Sequence, residues 1–214
     1  AKMFDFYGVQ IHWLGHSAFK IKGRRTLYID PFHIKDGQDK ADVILITHNH
    51  FDHCDVESLE KIVAPHTIII CATDCLSTVT RVGHVMDIKP ITPGKSLEVF
   101  DIKVQAHPAY NTNKEFHPKH NEWVSYLINI NGVKIFHAGD SDAIPEFKDL
   151  RPDIALLPVS GVYVMTATEA ADLAKTMQAK IAIPMHYDEV IGSSQDAEQF
   201  KTLVGETARI LDKE

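Results

Sequence analysis

The sequence predicts an α/β (α+β) fold, a four-layer αββα sandwich with an internal pseudo-two-fold duplication, and three observations carry that prediction. The second half repeats the pattern of the first at a distance of about a hundred residues. In each half a β-hairpin leads to an acidic residue, and a buried apolar strand follows. Each half then continues into amphipathic helices. No linker or low-complexity stretch interrupts the chain, so residues 1–214 are expected to form a single domain large enough to bury its own core.

The elements follow in order. Ala18-Phe19-Lys20-Ile21, the turn Lys22-Gly23-Arg24 and Thr26-Leu27-Tyr28-Ile29 read as a hairpin ending on Asp30. Val43-Ile44-Leu45-Ile46 reads as a buried strand running straight into Thr47-His48. Asp55 can cap a short helix whose apolar positions Val56, Leu59, Ile62 and Val63 share one face until Pro65 ends it. A strand over 67–71 and a helix over 75–82 come next. From Val85 to His107, strands punctuated by Pro90, Pro93 and Gly94 are expected to pair antiparallel, and the polar stretch 108–121 is expected to be an active-site loop. The second hairpin spans 124–136 around Asn131-Gly132, the strongest short hairpin signal, and leads to Asp140. Asp153-Ile154-Ala155-Leu156-Leu157 then repeats Asp42-Val43-Ile44-Leu45-Ile46. A capping box at Thr166 to Glu169 opens a helix with Ala170, Leu173, Ala174 and Met177 on its apolar face. Strand Ile181-Ala182-Ile183 ends in Pro184-Met185-His186, and a helix over 195–204 and a short C-terminal strand complete the pattern.

Composition narrows the classes. Acids outnumber bases 29 to 22, a formal charge of −7, so the basic stripe of a nucleic-acid binder is missing and no nucleic-acid partner is expected. Three cysteines, Cys54, Cys71 and Cys75, form no CxxC pair and suit a reducing compartment. Neither a membrane-spanning run nor a signal-peptide pattern is present; Ala1 and Lys2 read as additions ahead of Met3. A cytoplasmic location is expected, with no membrane partner, and a homo-oligomer is compatible with all of this.

Among 13 histidines, placement decides which matter. His48, His50, Asp52 and His53 put three imidazoles and a carboxylate within six residues at a strand end. Imidazole is the commonest neutral ligand for zinc and its neighbours, and carboxylate compensates charge. One short loop cannot aim all four at a single ion without strain, so His48 and His50 are expected to serve one metal, Asp52 and His53 a second. His12, His33, His66, His84 and His120 read as surface or loop histidines, and Cys54 as a small buried side chain.

The run resembles the His-x-His-x-Asp-His signature of the metallo-β-lactamase superfamily. Gly15-His16-Ser17, Asp30-Pro31-Phe32, Ala138-Gly139-Asp140, Leu157-Pro158-Val159 and Ile183-Pro184-Met185-His186-Tyr187 resemble, in order, its branch of small hydrolases similar to L-ascorbate-6-phosphate lactonase. The likeness implies an αββα fold and a dinuclear site of two divalent ions, zinc first, manganese or iron otherwise. It implies Asp140 as the carboxylate bridging both metals and His186 as the last ligand of the second. It also requires a third histidine for the first metal, between Asp52 and Asp140: His107, at a strand end, is preferred, with His117 the competitor. Such a site would supply a metal-bridging hydroxide near neutral pH to attack a carbonyl or phosphoryl centre of a small-molecule lactone, ester or phosphoester. Catalytic roles fall to Asp52 and to His16, which reads equally as a buried, hydrogen-bonded histidine supporting a ligand; a substrate contact falls to Tyr163, and the orientation of a ligating histidine to Asp30. The alternatives are an iron-dependent redox protein on the same fold and a phosphodiesterase or nuclease-type hydrolase.

Overall fold

Two β-sheets pack face to face, and each carries two helices on its outer side. A computed structural model describes residues 2–214; Ala1 lies outside them. The first sheet holds seven strands in chain order: β1 (Met3–Phe6), β2 (Val9–Gly15), β3 (Ala18–Lys22), β4 (Thr26–Ile29), β5 (Val43–Ile46), β6 (Ile68–Ala72) and β7 (Asp87–Ile91). The second holds six, again in chain order: β8 (Ser96–Val99), β9 (Ile102–Pro108), β10 (Val124–Ile130), β11 (Val133–His137), β12 (Ile154–Pro158) and β13 (Ile181–Met185). Helices α1 (Val56–Ile62) and α2 (Leu76–Val79) belong to the first half, α3 (Ala167–Met177) and α4 (Ser194–Val204) to the second. Among the described residues no helix is long and apolar enough to cross a membrane.

The duplication is visible in the pairing. In the first sheet β3–β4 is antiparallel and β4–β5–β6 parallel; in the second β10–β11 is antiparallel and β11–β12–β13 parallel. Alternation divides the strands β3 to β7 of the first sheet between two cores, because successive side chains point to opposite faces. Val43, Leu45, Ile68 and Ile70 enter the core between the sheets, while Ile44, Ile46, Ile69 and Cys71 pack with Leu59, Ile62 and Val79 under α1 and α2. Both faces being covered, the four-residue strand β5 is apolar throughout and fully buried. The capping box at Thr166 is formed: its side chain accepts from the Glu169 amide, and Glu169 accepts from the Thr166 amide.

Three expectations change. β7 pairs parallel with β6, because it extends the first sheet instead of joining the antiparallel strands of the second. The helix expected over 75–82 is a 3-10 turn, Thr73–Cys75, followed by the single turn of α2. In place of a C-terminal strand there is one bridge, Ala182 with Ala208, held by two backbone hydrogen bonds.

Candidate metal centre

The sheets meet at the carboxyl ends of their parallel strands, where open α/β sheets bind ligands. β4 ends at Asp30, β5 at Thr47-His48, β11 at the turn to Asp140, and β13 at His186. His16 comes from the β2–β3 turn, and its carbonyl accepts from the His186 amide at 2.8 Å. His16, Asp30 and His186 have φ of 52°, 48° and 63°, a left-handed conformation uncommon outside glycine that turns each side chain off its strand. Gly139 (φ 61°) lets the turn before Asp140 lie against Thr47; a Cβ there would come within 3.2 Å of the Thr47 side chain.

Two sets of donors result. His48, His50, His117 and Asp140 form one; His16, Asp52, His53 and His186 form the other, and within each set the ligand atoms lie within 4.8 Å of one another. Asp140 joins the sets. Its Oδ2 is 3.3 Å from His48 Nε2, and its Oδ1 is 3.0 Å from His53 Nε2 and 3.3 Å from His186 Nε2. Buried polar atoms normally find hydrogen-bond partners. Here His48 Nε2, His53 Nε2, His186 Nε2 and Asp140 Oδ1 are buried without one, as are both nitrogens of His117, and each of these residues brings one such atom to the donor sets. That convergence, in a donor set of imidazoles and carboxylates, fits divalent metal ions.

Outer groups set which nitrogen faces inward. Asp30 accepts at Oδ2 from His53 Nδ1 (2.7 Å) and from Thr47 Oγ1 (2.7 Å), and at Oδ1 from the Thr47 amide. Thr47 Oγ1 in turn lies 2.8 Å from His48 Nδ1. One buried carboxylate therefore orients two imidazoles, His53 directly and His48 through Thr47. His186 Nδ1 lies 3.2 Å from Ser160 Oγ. His16 was expected to act in catalysis, but it is fully buried behind Asp52, with Nε2 2.7 Å from Asp52 Oδ2, and does not line the cleft. It can reach a substrate only through Asp52.

Charge follows burial. Burial, reinforced by His53, lowers the His48 pKa to about 4, and burial with His48 nearby holds His117 well below the usual range. Burial likewise lowers His16, against its hydrogen bond to Asp52. These imidazoles are neutral at pH 7, the form that binds metals. Burial alone would raise Asp140, yet His53, His186 and His48 outweigh it and hold the carboxyl well below the carboxylate range. His53 shows the converse: burial pushes it down, but Asp140, Asp52 and Asp30 raise it well above 6.5.

His107 does not join either set. Along β9, Ile102, Val104 and Ala106 are buried while Lys103 and Gln105 face out, and His107 shares their phase, its Nε2 3.2 Å from Gln105 Oε1. Ala106 pairs with Tyr126, whose hydroxyl donates to the Ile46 carbonyl of the opposite sheet, so the face turned to the first sheet is Ala106's and not His107's. The loop beyond β9 supplies His117 instead. The Asn111 amide donates to the His117 carbonyl, and the loop is fastened to the segment after Asp140: Asp142 accepts from the Thr112 amide (2.6 Å) and pairs with Lys114, while the Asp142 amide donates to the Tyr110 carbonyl. Alternation along 102–107 was legible in the sequence and could have excluded His107.

Trp123, which sequence reasoning passed over, packs its ring 4.4 Å from His117, 4.7 Å from His50 and 5.1 Å from His48, and its indole N–H donates to Asp74. His137, buried with Nε2 2.9 Å from the Ser17 carbonyl and Nδ1 accepting from the Gly139 amide, is satisfied and remote from ligand duty. Cys54, Cys71 and Cys75 are free and buried. A cleft of about 430 Å³ opens over the centre, with Asp52, Asp140, His117 and His186 at its floor and Tyr163 at its wall.

Fold and centre together define a class, the metal-dependent hydrolases built on a metallo-β-lactamase sandwich. The chain belongs to the beta-lactamase superfamily, whose domain model matches residues 10–186, and within it to the UPF0173 metal-dependent hydrolases. A member from Thermoplasma acidophilum is 32% identical over 209 residues, covering 92% of this chain and 91% of its own. Another, from Thermococcus onnurineus, is 33% identical with 95% of each chain covered. A crystal structure from Parabacteroides distasonis, described as a candidate metal-dependent hydrolase, superposes with a TM-score of 0.84 at 29% identity, covering 98% of both chains.

Proposed function

We propose that this chain hydrolyses a small molecule, a lactone, ester or phosphoester, with two divalent ions: one held by His48, His50 and His117, the other by Asp52, His53 and His186, with Asp140 between them. The observation that carries this reading is Asp140, whose two oxygens face different histidine sets at 3.0–3.3 Å. Zinc suits these donors best, with manganese or iron as alternatives. Bound ions supply Lewis acidity and activate water near neutral pH. The protein's own groups do the rest. Asp30 holds His53 and, through Thr47, His48 in the tautomer that turns Nε2 inward. His16 fixes Asp52 Oδ2, leaving Oδ1 of that cleft-lining carboxylate as the place where an attacking water's proton can be taken up. Trp123 closes the back of the first set and excludes bulk water from His48 and His117.

Elemental analysis of the purified protein, joined to a hydrolysis screen of lactones, esters and phosphoesters with His48→Ala alongside, tests this. Two ions per chain and loss of activity in the variant are expected. Fewer than one ion per chain under replete conditions, or undiminished activity in His48→Ala, overturns it.

A further inference from the structure

The rim of the cleft is apolar and comes from four separate loops. Phe51 follows β5, Phe116 lies in the loop after β9, Tyr163 in the loop after β12, and Val190 after β13. They are 68%, 52%, 43% and 53% exposed, among the most exposed large apolar side chains of the molecule. Phe116 and Tyr163 meet edge to face, ring centroids 4.6 Å apart at 89°, which joins two of the loops across the mouth. Phe51 is steadied by an edge contact with Phe32. Single exposed apolar residues are ordinary, but a cluster around a cleft marks a binding surface.

Two of the four also carry backbone strain. Tyr163 has φ 69° and Val190 φ 57°, and a β-branched residue in the left-handed region is a genuine outlier. Such conformations are held in place by their surroundings and cluster at ligand sites. Charge is missing from the rim: no Lys or Arg lines the cleft. The cations of the neighbouring segments are engaged elsewhere, Lys114 with Asp142, Lys119 with Glu146 and Lys213 with Glu189. Recognition of a phosphorylated or carboxylated arm calls for such groups.

We infer that the cleft takes a neutral ester or lactone whose non-reacting arm is an alkyl or aryl group, seated on Phe51, Phe116, Tyr163 and Val190. This rests on the hydrolase reading above. The cleft, about 430 Å³, has room for an arm of several carbons beside the reacting group. Each methylene buried there strengthens binding about fourfold.

The test uses the metal-replete protein and two series that share a head group and lengthen the arm from acetyl to octanoyl: p-nitrophenyl esters, read as KM and kcat, and alkyl hydroxamates, read as Kd by calorimetry. KM and Kd are expected to fall at least tenfold along the series. Phe116→Ser and Tyr163→Ser should flatten that dependence, whereas Tyr7→Ser, on an exposed turn far from the cleft, should keep it. Hydroxamate affinity that ignores arm length in the wild type overturns the inference whether or not any ester is hydrolysed. A preference for phosphorylated over neutral substrates overturns it while leaving the hydrolase reading intact. Absence of hydrolysis with length-dependent hydroxamate binding does the reverse. A change of sedimenting mass in Phe116→Ser and Tyr163→Ser would show the rim to be an interface between copies, and would also overturn it.

Discussion

Asp30 is fully buried, yet it stays charged because it has work for both oxygens: three donors from His53 and Thr47 surround it. Burial would raise its pKa, and His53, together with His137 and His48, outweighs burial and lowers it. Asp30→Asn keeps the shape but offers an amide where an acceptor is needed, so the His53 and His48 tautomers lose their common anchor. Metal affinity should drop about 10- to 100-fold, read by competition with a chromophoric chelator. An affinity within twofold of wild type would show that Asp30 does not orient the ligands. His117 and His107 make a second residue-scale comparison. His117→Ala should remove one ion per chain by elemental analysis, while His107→Ala, on the outward face of β9, should leave the metal content unchanged; the opposite pattern would restore His107 to the centre.

At the scale of elements, strands and loops contribute unequally. The strand ends at Asp30, Thr47 and Ala138 are pinned by sheet hydrogen bonds on both sides and that at Met185 on one, by β12, so the side chains just beyond them are placed by the framework. The loop carrying His117 has no ladder and depends on Asp142, 1% exposed, which takes the Thr112 amide and the Lys114 ammonium at once. Asp142→Ala removes the acceptor of the Thr112 amide and leaves the partly buried Lys114 with Asn113 alone, so the loss of local stability should fall below the roughly 3–5 kcal/mol of a fully buried broken pair. The expected result is faster amide hydrogen exchange over 109–117 and loss of one ion, with the Asp52, His53 and His186 set still binding. Exchange in that loop indistinguishable from wild type would show that the loop is held some other way.

For the whole molecule, the buried histidines make stability depend on pH when metal is absent. His16, His48, His117 and His137 are all lowered below 6.5, chiefly by burial, His48 to about 4. As pH falls below 6.5 the unfolded chain takes up these protons first, so stability is lost from there down toward the folded-state values. His53 runs the other way: its folded pKa is raised, so its contribution is complete below 6.5 and fades only as pH rises. The lowered carboxyls Asp30 and Asp140 contribute above 3.8 and lose that contribution only under stronger acid. Between pH 6.5 and 4 these four fully buried histidines, with His107 lowered in the same sense, decide the sign. The melting temperature of the metal-free protein should therefore fall steadily from pH 6.5 to pH 4.5, and the metal-loaded protein should lie above it at pH 7. A melting temperature flat across that range would contradict the assignment of neutral, buried imidazoles.

The αββα architecture, the duplicated hairpins and the strand that delivers His48 were all legible from local pattern, because period-2 alternation, Asn131-Gly132 and the Thr166 capping box are read within a few residues of themselves. The run His48, His50, Asp52, His53 announced metal chemistry for the same reason. Even the misplacement of His107 was correctable locally, since Ile102, Val104 and Ala106 already point one way. Other features were decided only when the chain folded. That His117 rather than His107 completes the first set follows from Asp142 and Lys114 fastening a loop about thirty residues away in sequence. That His16 lies behind Asp52, and that Phe51, Phe116, Tyr163 and Val190 close into one rim, follows from two sheets stacking with their strand ends together. Loop side chains have no periodicity to betray their direction. Where they point is set by partners distant in sequence, and those meet only in three dimensions.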